Sequence, residues 1–424
     1  MEKFLIKIKH LFTDKSLRNK ILFVLGAFIA FRFLATIPVP GVDQEVLARF
    51  LSNNQFFGLL NIFSGGGLST LSIIMLGVSP YITSSIIMQL STMLSPRMKA
   101  MVSEEGDGGR KKFNFYTRAL TVPLAAIEGL GFLALLQKEG VISSLGNFGL
   151  ITNVAIIVAG SMILMWIGEL VSEFGIGNGV SLIIFAGIVS RIPSIFGQME
   201  YIYTDASQIP LFIVIGIIGL LAIMGVVYIT EAERPVPVTY AKQVRGGKMY
   251  GGSSTYLPFR LNQAGVIPII FALSILLLPQ MVLNMLAYLG NPGISNVAKI
   301  VADYMQNPWI YSILYFILVF FFTYFYTAVT FDPKSISENL QKGGAFVPGV
   351  RPGDPTTEYL AKMVGRLTLV GALFLGLIAV LPSILHAFTS ITALTVGGTS
   401  LLIVVQVIID LLKKIDAQLT MREY

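Results

Sequence analysis

Apolar residues arrive along this chain in long blocks, separated by shorter polar segments. No Asp, Glu, Lys or Arg occurs in residues 50–96, 140–168, 174–190, 206–230, 261–298, 304–331 or 367–409. A helix crossing the hydrocarbon core of a bilayer takes about 20 mostly apolar residues. The pattern therefore predicts an all-α polytopic membrane protein with ten spans. They lie near 21–37, 71–94, 116–137, 151–170, 179–198, 210–229, 264–286, 308–329, 366–386 and 393–412. The 43 residues of 367–409 exceed one span and suit two, with Leu381-Pro382-Ser383 and His386 marking the break. The 47 residues of 50–96 also exceed one span, so a further element shares that block.

Charge then sets the orientation. With the N-terminus inside, 25 of the 30 Lys and Arg residues fall in inner segments and four (Arg49, Lys138, Arg191 and Lys299) in outer ones. The remaining one, Arg32, lies within span one. That asymmetry is the positive-inside pattern for ten spans with both termini cytoplasmic. It also accounts for the formal net charge of +7, so the charge is no argument for sequence-specific nucleic-acid binding. The basic start, Lys3 to Lys20, precedes a full-length span without a small-residue cleavage site. It is expected to be a cytoplasmic anchor rather than a cleaved signal.

The candidate chemistry is sparse. The chain has no cysteine and two histidines, His10 and His386, far apart in sequence. No metal-ligand spacing, cofactor motif or activated nucleophile is legible. Gly175-Ile-Gly-Asn-Gly179 has the glycine content of a phosphate loop but follows an apolar span, so a helix–helix turn is expected. Ion or solute transport would need ionisable groups at membrane depth. Only Arg32, near the outer end of its span, and Glu128, in mid-span, qualify. A small-solute secondary transporter is therefore the rival class.

Two kinds of segment carry more. Phe56-Phe-Gly-Leu-Leu-Asn-Ile-Phe63 is a short apolar run, stopped by Ser64-Gly-Gly-Gly67. Irregular backbone at membrane depth is tolerated where protein or a water-filled cavity surrounds it. The pattern alone leaves open whether this run folds into a cavity or lies on the outer surface. The inner loops 231–262 and 331–366 are long and mix turn formers, apolar tips and charge, which suits docking.

Several motifs occur in order along residues 10–424. They are Phe31-Arg32 with Ile37-Pro-Val-Pro-Gly41, Asn61-Ile-Phe-Ser-Gly-Gly66, Pro80-Tyr81-Ile82 with Gln89, and Glu105-Gly106 with Gly109-Arg-Lys111. Next come Gly168-Glu169, Gly175-Ile-Gly-Asn-Gly-Val-Ser181, Tyr240-Ala-Lys242 and Asn262-Gln-Ala-Gly-Val-Ile-Pro268. Ala345-Phe-Val-Pro-Gly-Val-Arg-Pro-Gly353 and Gly397-Gly-Thr-Ser-Leu-Leu-Ile403 complete the series. In this series the chain resembles the SecY family, the pore subunits of the bacterial protein-export channel.

The resemblance implies a non-enzymatic protein-conducting channel in the bacterial cytoplasmic membrane. It implies two pseudo-symmetric five-helix halves, 21–198 and 210–412, around an hourglass pore. A hinge at 199–209 joins them, and cytoplasmic segments 1–20 and 413–424 flank them. It places a pore ring on Val78, Ile82, Val180, Ile184, Ile270 and Ile403, and a plug near 56–67 with Phe57, Leu60, Ile62, Phe63, Gly65 and Gly66. It places a lateral gate on Thr83, Gln89, Asn262, Ser274 and Leu278, and partner docking on Arg245, Lys248 and Arg351. The implied partners are SecE-like and SecG-like small membrane subunits, a SecA motor ATPase, the ribosome, signal peptides, nascent chains and membrane lipid. The i, i+4 spacings of Val78/Ile82 and Val180/Ile184 fit the ring independently, since each pair shares a helix face.

Overall fold

The computed structural model describes residues 14–40, 46–47, 64, 66–103, 105–138, 140–142, 146–190, 209–240, 243–245, 248–250, 254–288, 307–389 and 392–423. In the first half the helices are α1 (Lys15–Leu34), α2 (Ser79–Leu94), α3 (Pro96–Ser103), α4 (Gly106–Lys138), α5 (Asn147–Phe174) and α6 (Gly179–Val189). The second half opens with α7 (Ile209–Glu231) and strands β1 (Glu233–Tyr240), β2 (Gln243–Arg245), β3 (Lys248–Tyr250) and β4 (Ser254–Arg260). It continues with α8 (Ile267–Tyr288), α9 (Pro308–Thr330), α10 (Pro333–Lys342), β5 (Ala345–Phe346), α11 (Asp354–Thr389) and α12 (Thr392–Glu423). Each of the ten predicted spans has its helix. Among the described residues, Gly106–Gln137, Asn147–Phe174, Trp309–Lys342 and Asp354–Leu385 are by themselves long and apolar enough to cross a membrane.

The helix starts are written locally. The Asp14 carboxylate accepts from Ser16 N–H at 2.9 Å, and Asn307 accepts from Trp309 N–H at 3.1 Å with Pro308 in the first turn. Such side chains satisfy amides that have no partner inside the helix. Boundaries shift from expectation where tertiary contacts intervene. Span two starts at Ser79, not near 71, because residues 66–78 form turns against the end of α1. Val39 N–H donates to Leu71 O at 2.7 Å and Ile73 N–H to Ile37 O at 3.0 Å. On the other side α5 crowds the same turn: a Cβ at Gly160 would overlap Ile73 O. Pro382 does not end its helix; α11 runs through it to Thr389. A proline-freed carbonyl is tolerated in a membrane helix where packing re-satisfies it.

The halves meet along two seams. α8 packs against α2 and α4, and α12 packs against α6. The remaining packing keeps α1, α2, α4, α5 and α6 together on one side and α7, α8, α9, α11 and α12 on the other. The hinge expected at 199–209 lies outside the described residues except for Ile209, which opens α7.

The described residues of the long loops 231–262 and 331–366 are not irregular. β1 stands between β4 and β5 in a three-stranded antiparallel sheet, pairing Val236 with Leu257 and Thr239 with Phe346. Alternation puts Val236 and Val238 inward. Val236, Phe259 and Val347 form a small core with Leu360, Met363 and Val364 from the start of α11. Pro235 and Pro237 are accommodated because β5 pairs only with residues 239 and 240, leaving that edge of β1 without a ladder to break. One platform is thus built from both loops.

Candidate pore, gate and docking surface

The six expected ring residues come from four helices, two in each half. Val78 caps α2 and Ile82 lies on its first turn; Val180 and Ile184 lie on α6, Ile270 on α8 and Ile403 on α12. Val78, Ile82, Ile184, Ile270 and Ile403 are buried in one continuous apolar cluster, and half-buried Val180 packs against it. Tight helix turns aim α6. The Asn178 carboxamide oxygen accepts from Val180 and Ser181 N–H at 3.1 and 3.2 Å. Gly179 N–H donates to Ser172 Oγ at 2.8 Å. So Gly175–Gly179 is the helix–helix turn its sequence predicts.

A vestibule of about 490 Å³ opens onto this cluster, with Ile82, Val180, Ile184 and Ile270 among its lining residues. Its polar wall carries Tyr81, Gln89, Asn114, Arg118, Glu169 and Glu173. The Arg118 guanidinium donates to the Glu169 carboxylate at 2.8 Å, tying α4 to α5. Gly168-Glu169 was visible as a motif, but its partner 51 residues away was not.

Among the gate residues, Thr83 and Ser274 are buried and Gln89 lines the vestibule. Their hydroxyls donate along their own helices, Thr83 Oγ1 to Ser79 O at 3.1 Å and Ser274 Oγ to Ile270 O at 3.0 Å. Gln89 Nε2 likewise donates to Ser85 Oγ at 3.0 Å. Asn262 closes its own turn, exchanging bonds of 3.2 and 3.0 Å with Gly265, and packs beside Gly371 of α11. Leu278 belongs to α8; its side chain lies outside the described residues. The interhelical polar contact beside Thr83 lies within the first half rather than across the seam: Glu128 of α4 is buried, with its carboxyl group hydrogen-bonded to the hydroxyls of Ser79 and Thr83 of α2. Ser79 was not expected at the gate, although its i, i+4 relation to Thr83 was legible.

Of the plug residues, Phe57, Leu60, Ile62, Phe63 and Gly65 lie outside the described residues. Gly66 is described and has φ +87°, a region that favours glycine. It sits beside the Arg32 side chain, from the last turn of α1. In the loop 231–262, Arg245 pairs with Lys248 across the β2–β3 hairpin; their side chains are outside the described residues. Arg351 is exposed between Gly349 and Gly353, at φ +83° and +97°. Its backbone is pinned, since Thr356 Oγ1 donates to Arg351 O at 2.7 Å and Ser337 Oγ to Gly353 O at 2.8 Å.

The SecY family model matches residues 72–412. The chain belongs to the SecY family. It is 42% identical to a protein translocase subunit SecY of Aquifex aeolicus, covering 98% of both chains. It is 41% identical to one of Corynebacterium glutamicum, covering 97% of both. Its fold is similar to a solved structure described as that of a protein conducting channel, with TM-score 0.68, 20% identity and coverage of 95% and 93% of the two chains. It is also similar to Sec61 in the canine ribosome-channel complex from the endoplasmic reticulum, with TM-score 0.63, 19% identity and coverage of 95% and 93%. The SecY relatives are bacterial, and the fold is that of a multi-pass membrane protein.

Proposed function

We propose that this SecY-family chain is the pore subunit of a protein-export channel, passing unfolded polypeptides across the bacterial cytoplasmic membrane and releasing hydrophobic segments sideways into the lipid. What supports this most is the convergence of six aliphatic residues from four helices, two per half, on one apolar cluster, four of them lining the vestibule. A narrow apolar throat dewets, so ions and small solutes do not cross it. Its side chains need only part around an extended chain and close behind it. The seam between α8 and α2 with α4 is the way out to lipid. Among the described residues its polar side chains Thr83, Ser274 and Gln89 bond within their own helices, so the seam can part without stranding a buried polar group.

In this reading the chain performs no bond chemistry, and both termini are cytoplasmic. Energy comes from a SecA-type motor or a translating ribosome, docked on the platform of the two inner loops. SecE-like and SecG-like subunits complete the channel. Arg351, exposed on a pinned turn, offers a guanidinium for bidentate contacts to the docked partner. Arg351→Glu is expected to cut motor-driven export about tenfold or more while the folded protein stays in the membrane at normal abundance. Loss of the folded protein would make the residue structural instead. The function as a whole is tested by depletion in cells. Many unrelated precursors should accumulate on the cytoplasmic side; loss of one solute with normal secretion would point to the transporter reading.

A further inference from the structure

We propose that Glu173 is a specificity-determining residue of the vestibule, where its carboxylate favours entering segments whose cytoplasmic flank carries Lys or Arg. The inference rests on the channel reading above. Glu169 and Glu173 sit one helical turn apart on α5, and both line the cavity. Most of the polar wall is already satisfied. Arg118 and Glu169 bond each other at 2.8 Å. Ser172 Oγ donates to Gly168 O and accepts from Gly179 N–H. Asn178 caps α6, and Gln89 bonds Ser85. Glu173 is left with no cation in ion-pair range among the described residues.

The vestibule wall therefore holds two carboxylates against one guanidinium, and the excess negative charge belongs to Glu173. The cavity stands next to the gate, since Ile267 and Phe271 of α8 and Gln89 of α2 also line it. By the charge pattern, the inner segments of the chain carry 25 of its 30 Lys and Arg residues. A basic flank entering from that side is thus repelled by those segments and attracted by the wall. A cleft lined by one sign of charge concentrates ligands of the other sign. A carboxylate on a half-open wall acts over about one Debye length, roughly 8 Å at physiological salt. That reach covers the flank of a segment seated between α2 and α8, not its apolar core.

The test uses the complete channel in vesicles with its motor, and three precursors that differ only in the signal flank: lysines, serines or glutamates. Wild type should export the lysine-flanked precursor ahead of the glutamate-flanked one. Glu173→Gln, which keeps shape, should lower that ratio about threefold, and Glu173→Lys about tenfold, as expected for an attraction removed and then reversed near a protein surface. Glu173→Asp should retain most of it, and high salt should erase the difference between variants. The serine-flanked precursor should pass all four channels alike. An unchanged ratio in Glu173→Gln would sink the proposal. So would a preference that persists in Glu173→Gln but vanishes when anionic lipids are replaced by neutral ones, because headgroups would then be holding the flank. Failure of every precursor in wild-type vesicles would instead strike at the channel reading itself.

Discussion

The throat and the anchorage of the gate helix share α2 and obey opposite chemistry. On α2, Val78 and Ile82 join the apolar cluster, while Ser79 and Thr83 meet the buried carboxyl group of Glu128 on α4, in the same half. The two pairs are offset by one residue, about 100° around the helix axis. Aliphatic contacts are non-directional, so the throat can part and reclose in many arrangements with little penalty for imperfect registry. The α2–α4 contact is directional. A carboxyl group among hydroxyls is either matched or left unsatisfied in a low-dielectric setting. One face of α2 is thus suited to a compliant seal and the adjacent face to a fixed anchor that holds α2 on α4 beside the gate.

The largest effect should come from locking α2 to α8 across the seam while leaving the throat alone. With no native cysteine, Thr83→Cys with Leu278→Cys tests whether α2 and α8 must separate. A disulfide requires Cα atoms within about 7 Å and suitable Cβ directions. The oxidised pair should stop both secretion and membrane insertion, and reductant should restore both, with each single mutant active throughout. Full cross-linking with export at the normal rate would show that these helices do not form the gate.

Wetting the throat should come next. Ile403 is 1% exposed, and Ile403→Asn places an amide where the reading needs a dry surface. Resting ion conductance should rise on the order of tenfold, with laxer signal selection and normal abundance. Unchanged conductance would remove Ile403 from the seal.

The smallest effect should come from the anchor between α2 and α4. Glu128→Gln keeps volume but replaces the carboxyl with an amide, weakening contacts worth about 1 kcal/mol that hold α2 in place on its own side of the seam. Export of precursors with defective signals should rise about fivefold while ion conductance stays at the wild-type level. A conductance rise equal to that of Ile403→Asn would mean that throat and anchor are one device, and the comparison would collapse.

The candidate ring follows from the family resemblance, and helical periodicity agrees with it, because the i, i+4 pairs on α2 and α6 are local. Glu128 was visible as a mid-span charge, but its partners belong to another helix. The Arg118–Glu169 pair was hidden likewise. Asn262 looked like a gate residue because a polar side chain beside a span invites an interhelical bond. Here the turn itself takes up that side chain through Gly265. Thr83 and Ser274 show the same competition, since a hydroxyl in a helix finds the carbonyl four residues back.

The sequence by itself determined the number of spans and their approximate positions. These follow from transfer of each segment into lipid, a local quantity. Only the tertiary structure decided that residues 66–78 fold back on the end of α1, and that α11 runs through Pro382. It alone joined the two inner loops through β1 and β5, and it brought a vestibule wall and a throat together from both halves. Those outcomes depend on contacts between residues tens to hundreds of positions apart. Hydropathy cannot carry that information, because every span satisfies the bilayer equally well whichever neighbours it has.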